Sequence, residues 1–576
     1  MQDTETKPEA DLKQFHKVTD RHVLVLEADI SEHDKRELLH MSNIIRVAGN
    51  ELIAVMKKQY EQLLRTKRYR HLQDVYAKAK KSEDKKQAAA IAAEMTEMQK
   101  LYHVTWEFCR KSMIGINQKY KVNSIFALSK AEDVWRAIEQ CLFSDGKTIH
   151  FKKYGDYPEI RAKQANRGIT ISADDDGIRL KIGKTNLKPI INKPKHAKTR
   201  RGNAIHVQES HDMFAESEAE AVLNYISNPK VIDETALDLY NKKGIVMDTF
   251  RPCFASISFK EIRGKMRVYI HITIEGVSKP KYNKNGTRRH QYGKGFIGCD
   301  IGPQSIAYAS KEEVGLKNLA ERGTSIKARE QKEARILRKM DRSRRAMNPE
   351  NYNDDGTIRK GKKTWKKSNR YKKLHSQYRN ICRIAAENRH FAINEEVNHM
   401  RALGSVFITE PKNAKKLQKR SKNTERQDKP SVIQKSDGTT QLVYKCKRKK
   451  RHGKSIKNRC PGYFQAQAKA KFERTGGAYI EVPVSYRASQ YDHTCNKYIK
   501  KTLSQRMYEL ADGTRVQRDW YSSFLMYCIG TDMQNISRYK CKRYFDELYT
   551  KYLKLEQYII SNKITVMNSG IKFKTA

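Results

Sequence analysis

The spacing of apolar residues divides the chain into stretches of different period. Residues 22–30, HVLVLEADI, are rich in Val and Leu and predict a strand. From Ile45 through Leu52, Val55, Met56, Tyr60, Leu63 and Leu64 the apolar positions recur at three and four, which places them on one helical face. Residues 84–104 have an Ala-rich centre and high helix propensity, and the helical pattern runs to about Leu142. One strand is therefore followed by a helical lobe.

Around position 147 the pattern becomes short alternating runs, such as 168–172 and 178–182, with the turn Asp174-Asp175-Asp176-Gly177 between them. Residues 253–262 and 266–275 predict a hairpin across Arg263-Gly264-Lys265, with Val268, Ile270, Ile272 and Ile274 in strict alternation. The region 147–290 reads as mostly β, a small barrel to which the first strand returns, with a basic, turn-rich loop at 192–210. From Phe296 the pattern is α/β. FIGCD and SIAYAS predict two strands, residues 325–347 and 365–394 two basic helices, and the Asn-, Pro-, Asp- and Gly-rich stretch between them a loop. A strand SVFIT then leads to Glu410, a basic loop runs to about Arg459, a helix follows Pro461, and residues 478–484 form another strand. Asp519 opens an amphipathic helix whose Phe524, Leu525 and Cys528 face a core.

Composition narrows the partner. The 576 residues carry 116 Lys and Arg against 65 Asp and Glu, a formal charge of +51. With 38% hydrophobic and 9% aromatic residues the chain folds rather than remaining a disordered polycation. Such a surface does not suit an enzyme of small neutral metabolites; it suits a polyanion whose released counterions favour binding. No run approaches 18 apolar residues, so no membrane is expected as partner. The acidic, polar opening MQDTETKPEADLKQ resembles neither a secretory signal nor an Arg-rich transit peptide, and an intracellular, cytoplasmic protein is expected. The ten cysteines are scattered with no CxxC, which argues against disulfides and zinc knuckles.

Three acids stand where a nuclease needs them. Asp300 ends an apolar strand and is followed by Gly302, Glu410 follows the apolar Val406-Phe407-Ile408, and Asp519 begins a helix. Acids so placed can converge on one edge of an RNase H-like sheet, where they would hold two Mg²⁺ about 4 Å apart. Taken singly, each is better read as a solvated turn residue.

The words around these acids are more specific. GKGFIGCDIGPQSIAYAS at 293–310, TEPKNAKKLQKRSK at 409–422 and VQRDWYSSFL at 516–525 resemble the three RuvC motifs of the transposon-encoded TnpB proteins and the related type V CRISPR effectors. Residues 338–374 resemble the bridge-type helix and helical insertion of one TnpB branch. The resemblance covers about 293–530; for the first 290 residues it rests on layout. It implies an RNA-guided DNA endonuclease with one RuvC site, cutting by two-metal hydrolysis, with Asp300, Glu410 and Asp519 as the catalytic and Mg²⁺-binding acids. It also implies two partners, a guide RNA of transposon or CRISPR origin and a target duplex with a short adjacent motif. Two departures stand out. Pro411 and Lys412 follow the glutamate where the family usually has other residues, and a cation there would crowd or compensate the metal site. In place of a CxxC…CxxC ribbon the chain keeps only His493 and Cys495, so a zinc-free remnant is expected, with a hairpin across Ala511-Asp512-Gly513-Thr514 and Cys495 as a buried thiol.

The basic segments supply the candidate nucleic-acid contacts. Arg335, Arg338, Arg342 and Arg345 share one helical face, and Arg forks suit phosphate oxygens. Lys415, Lys416, Lys419 and Arg420 follow the second acid. Arg448, Lys450 and Arg451 lie in a stretch, 445–459, with nine Lys or Arg in fifteen residues that reads equally as a strand channel or a solvated loop. Arg518 precedes the third acid. A guide–target heteroduplex of about 20 base pairs brings roughly 40 phosphates, a charge of the right scale for +51.

The expected organisation is multidomain, α+β and α/β. It runs as a first wedge strand (1–30), a helical recognition lobe (31–146), a β-barrel wedge domain (147–292) and a RuvC nuclease core with bridge-type helix and basic insertion (293–485). A degenerate target-nucleic-acid-binding ribbon (486–518) and the last RuvC motif with C-terminal helices (519–576) complete it. Two other readings remain: an RNA-guided repressor that binds without cutting, and an RNA-independent RNase H-like transposase or resolvase.

Overall fold

The computed structural model describes residues 21–81, 84–143, 148–174, 177–190, 196–198, 204–206, 213–243, 250–276, 287, 290–321, 326–414, 425–426, 430–434, 439–443, 446–447, 453–502 and 505–572. The chain divides into two compact units, Met1–Lys279 and Pro280–Ala576.

In the first unit the strand Arg21–Asp29 is followed by five helices, Glu32–Arg65, Lys67–Lys81, Lys85–Leu101, Trp106–Tyr120 and Ser124–Phe143. Side-chain caps set three of their starts: Ser31 accepts from the Asp34 amide, Asp84 from Gln87 and Thr105 from Phe108. Their apolar faces close on one core containing Leu52, Met56, Leu63, Met113 and Ile138.

The strand Arg21–Asp29 pairs antiparallel with both Lys265–Glu275 and Thr185–Ile190, so it stands inside a seven-stranded sheet, with Arg251–Ile262 beyond Lys265–Glu275. Val268, Ile270, Ile272 and Ile274 all point into its core. Two expectations change here. The outermost strands of the order, Ile160–Arg161 and Thr170–Asp174, form no pair with each other among the described residues, whereas a small barrel was expected. The sheet's apolar face is covered by a helix, Met213–Ser227, whose Ala219 and Val222 join the sheet core; a second helix, Pro229–Lys243, follows. The region is therefore not mostly β between 213 and 243.

The second unit is built on one mixed sheet. Its strands are β1 (Phe296–Ile301), β2 (Ser305–Ser310), β3 (Val314–Asn318), β4 (Val406–Thr409) and β5 (Ala478–Glu481), in the order β3-β2-β1-β4-β5. β1, β2 and β3 pair antiparallel, whereas β4 and β5 run parallel to β1. Two long helices, α1 (Ile326–Met347) and α2 (Asn369–Leu403), lie between β3 and β4, and α3 (Pro461–Arg474) precedes β5. The loop joining α1 to α2 is fixed by Asn348, whose amide donates to the Arg344 and Lys366 carbonyls while its oxygen accepts from the Lys366 amide.

The sheet has a core on each face. Ile297, Cys299 and Ile301 point toward Ile393, Val397 and Met400 of α2 and Phe464 and Phe472 of α3. The opposite face packs on α4 (Arg518–Tyr527), and Trp520, Phe524 and Tyr552 join a large aromatic core together with α5 (Arg538–Ser561). Alternation along β1 places Gly298 and Asp300 on this second face.

The predicted hairpin is present: Met507–Glu509 pairs with Arg515–Gln517 across a turn in which Gly513 has φ 84°. Cys495 departs from expectation, being partly exposed rather than buried, because it lies in the turn that joins the short strands Tyr491–Asp492 and Lys497–Tyr498. His493 is the residue that goes inside. Its ring sits 2.7 Å from the Tyr521 hydroxyl and 4.6 Å from the Phe545 ring centroid, and burial pushes its pKa down.

Candidate active site

Sheet register brings the first two acids together. Cys299 pairs with Thr409 across parallel strands, so Asp300 and Glu410, one residue further on each, leave the sheet at the same edge. The third arrives on a helix. Gln517 caps α4 by accepting from the Trp520 amide at 2.6 Å, which places Asp519 in the first turn, where the helix dipole favours a carboxylate. α4 can approach β1 because Gly298 has no side chain: a Cβ there would collide with the Ser523 carbonyl and the Tyr527 amide.

The pKa shifts of the acids follow from this placement. Burial raises the pKa of Glu410, and the charge of Asp300 raises it further, against Lys412 and a hydrogen bond from the Ala488 amide. Asp519 is raised by the same two causes, burial first and Asp300 second, against Arg518 and Arg506. Asp300 is thus the shared neighbour of the other two.

Three cations answer the three acids. The Lys412 ammonium hydrogen-bonds and ion-pairs with the Asp300 carboxylate. Burial would lower the pKa of Lys412, but Asp300, then Glu410 and Asp519, raise it overall, so Lys412 feels all three acids. Arg518 holds Asp519 Oδ1 with Nε at 3.0 Å and Nη2 at 2.9 Å, and Arg506 stands 3.8 Å from Oδ2. Asp300, Asp519, Lys412, Arg506 and Arg518 line a cavity of about 370 Å³. Its neutral wall is tied together by Gln304, which donates to Ser455 at 2.9 Å and accepts from Asn568 at 2.7 Å.

The donor set suits a hard divalent ion in kind, being carboxylate oxygens throughout, and the position beside Asp300 already holds a cation, the Lys412 ammonium. Among the described residues, however, no three His, Cys, Asp or Glu side chains are disposed to close around one metal ion.

The candidate nucleic-acid contacts fall into three groups. Arg335, Arg338, Arg342 and Arg345 are all exposed on α1. Arg345 is engaged at 2.8 Å with Asp341, an acid on the same helix that also holds Arg344 at 2.6 Å. Arg518 faces Asp519 within the site. Lys415, Lys416, Lys419, Arg420, Arg448, Lys450 and Arg451 lie outside the described residues. Sequence reasoning missed Arg506, which sits in the segment read only as a ribbon remnant; its place immediately before a short alternating hairpin that returns to Arg518 is the signal that marks it.

No protein-family model matches the chain, and no curated protein matches it. Among solved structures it is similar to a Cas12f1–sgRNA–target DNA complex determined by cryo-electron microscopy, at 9% identity over 88% of this chain and 99% of that one, with a TM-score of 0.39. A likeness at that level bears on neither the reaction nor its residues. Among the described residues no helix is long and apolar enough to cross a membrane.

Proposed function

We propose that the chain is an RNA-guided DNA endonuclease with a single RuvC-type site formed by Asp300, Glu410 and Asp519. The observation that carries the reading is the convergence of these acids on one edge of the β3-β2-β1-β4-β5 sheet, an RNase H-like order, at the positions the three motifs select. A guide RNA and a target duplex with a short adjacent motif are the proposed partners, in keeping with the +51 charge.

The reaction is hydrolysis of a phosphodiester. The oxygen of a water forms a bond to phosphorus as the bond to the 3′ oxygen breaks; one water proton ends on that leaving oxygen and the other is released with the 5′ phosphate. Bound Mg²⁺ would supply water activation and charge neutralisation. Asp300, Glu410 and Asp519 would hold it. Arg518 fixes the Asp519 carboxylate through its fork, and Lys412 and Arg506 present positive charge to the cavity where a phosphate would enter.

The test is cleavage of a matched duplex by protein purified with its RNA. Asp300→Ala, Glu410→Ala and Asp519→Ala should each abolish Mg²⁺-dependent cutting while RNA binding persists, and ribonuclease treatment should abolish cutting by the unaltered protein. Sequencing of the copurified RNA should yield a discrete species with a variable segment. Undiminished cutting by Asp300→Ala would refute the site.

A further inference from the structure

We infer that Lys412 supplies the charge of a second metal ion, so that the site works with one divalent cation and one ammonium. The inference rests on the nuclease reading above and refines it.

Charge balance carries the argument. Asp300, Glu410 and Asp519 are already faced by Lys412, Arg506 and Arg518, so the set is formally neutral before any metal binds. A three-carboxylate site with no such cations can take two divalent ions and an anionic phosphodiester and come close to neutrality. Here one ion and a phosphodiester leave a small positive surplus, whereas two ions leave three uncompensated positive charges in a partly buried cavity, which low dielectric makes costly.

Geometry agrees. The Lys412 ammonium is bonded to Asp300, the acid whose charge reaches both others. Lys412 is tethered two residues beyond Glu410, on the segment leaving β4, and it lines the same cavity as Asp300 and Asp519. During reaction the fixed ammonium would face the phosphate and offset the negative charge that builds on it and on the departing 3′ oxygen.

The test counts ions directly, using Mn²⁺ as a paramagnetic probe on the full-length protein with its RNA. Calorimetry and electron paramagnetic resonance would be run on the unaltered protein, Lys412→Met, Lys412→Arg and Asp300→Ala, the last identifying which bound ions belong to the site. The expected result is one Asp300-dependent Mn²⁺ with an uncoupled signal in the unaltered protein and in Lys412→Arg, and two with a coupled signal in Lys412→Met. Cleavage by Lys412→Met should fall about 10²-fold at low Mg²⁺ and recover largely at high Mg²⁺. A coupled pair in the unaltered protein, or a single ion in Lys412→Met, would overturn the inference while leaving the nuclease reading intact. No Asp300-dependent ion in any variant, together with cutting by Asp300→Ala, would remove both.

Discussion

Gly298 of β1 lies directly against the backbone of Ser523 in α4, with no room for a Cβ between them. This contact connects packing to chemistry. Gly298 and Asp300 share one face of the strand, and the approach permitted at the first brings Asp519 of the helix toward the second.

Gly298→Ala should therefore act twice. Its added carbon meets backbone atoms, which yield less readily than a side chain, so a loss of at least about 1–3 kcal/mol in the second unit is expected. Cleavage should fall more than RNA binding, because displacement of α4 separates Asp519 from Asp300. Denaturant melts and cleavage rates on the same preparation check this; unchanged cutting with unchanged stability would contradict the packing.

Arg518 presents a different sensitivity. Its two N–H groups converge on one oxygen of Asp519, a geometry a lysine cannot reproduce. Arg518→Ala should lower the cleavage rate about 10–100-fold with little change in affinity for a matched target, since partners that orient a ligand act on rate. Arg518→Lys should recover only a minor part. Single-turnover rates beside equilibrium binding separate the two effects.

The edge of β3 carries a pH-dependent pair. Glu313 accepts from Tyr308 and lies 3.1 Å from His399 Nε2. The His399 hydrogen bond holds Glu313 below its ordinary carboxylate range, and Glu313 in turn raises His399 above its usual value, with Lys317 opposing and Glu396 assisting. The raised histidine contributes stability that is complete below its unfolded value of 6.5 and is lost as pH rises through the folded value. The lowered glutamate contributes stability present above 4.5 and lost as pH falls through its folded value. The pair should count most between about pH 4.5 and 6.5. Both side chains are some 40% exposed, so the effect is about 0.5 kcal/mol after screening. A double-mutant cycle with Glu313→Gln and His399→Gln, melted at pH 5.5 and 8.5, should show coupling at the lower pH and little at the higher.

The sheet edge was legible because apolar runs end abruptly in Asp300 and Glu410, a local signal that survives without any knowledge of the fold. The same holds for the helix at Asp519, where Gln517 and the aromatic run define a start and a buried face. What could not be read was non-local. Whether Thr170–Asp174 meets Ile160–Arg161 depends on what covers the sheet, and the helix that covers it, Met213–Ser227, hides its Ala and Val positions among glutamates. The pairing of Lys412 with Asp300 spans 112 positions and follows only from strand register. The partial exposure of Cys495 was missed for a related reason: spacing cannot tell which of His493 and Cys495 the aromatic core takes in, and it takes the ring.

The arginine face of α1 gives the last test, because its members are no longer equivalent. Arg335, Arg338 and Arg342 are exposed, whereas Arg345 shares Asp341 with Arg344 and is partly neutralised within its own helix. If the face contacts phosphates, each of the first three, changed to Gln, should weaken nucleic-acid binding across sequences and reduce the slope of log K against log salt by about 1. Arg345→Gln should change that slope less, and Asp341→Asn should increase it by freeing two guanidiniums. Filter binding of guide RNA from about 50 to 200 mM salt measures all five variants. Equal, negligible slope changes for Arg335→Gln, Arg338→Gln and Arg342→Gln would show that this face is solvated and that the polyanion is gripped elsewhere.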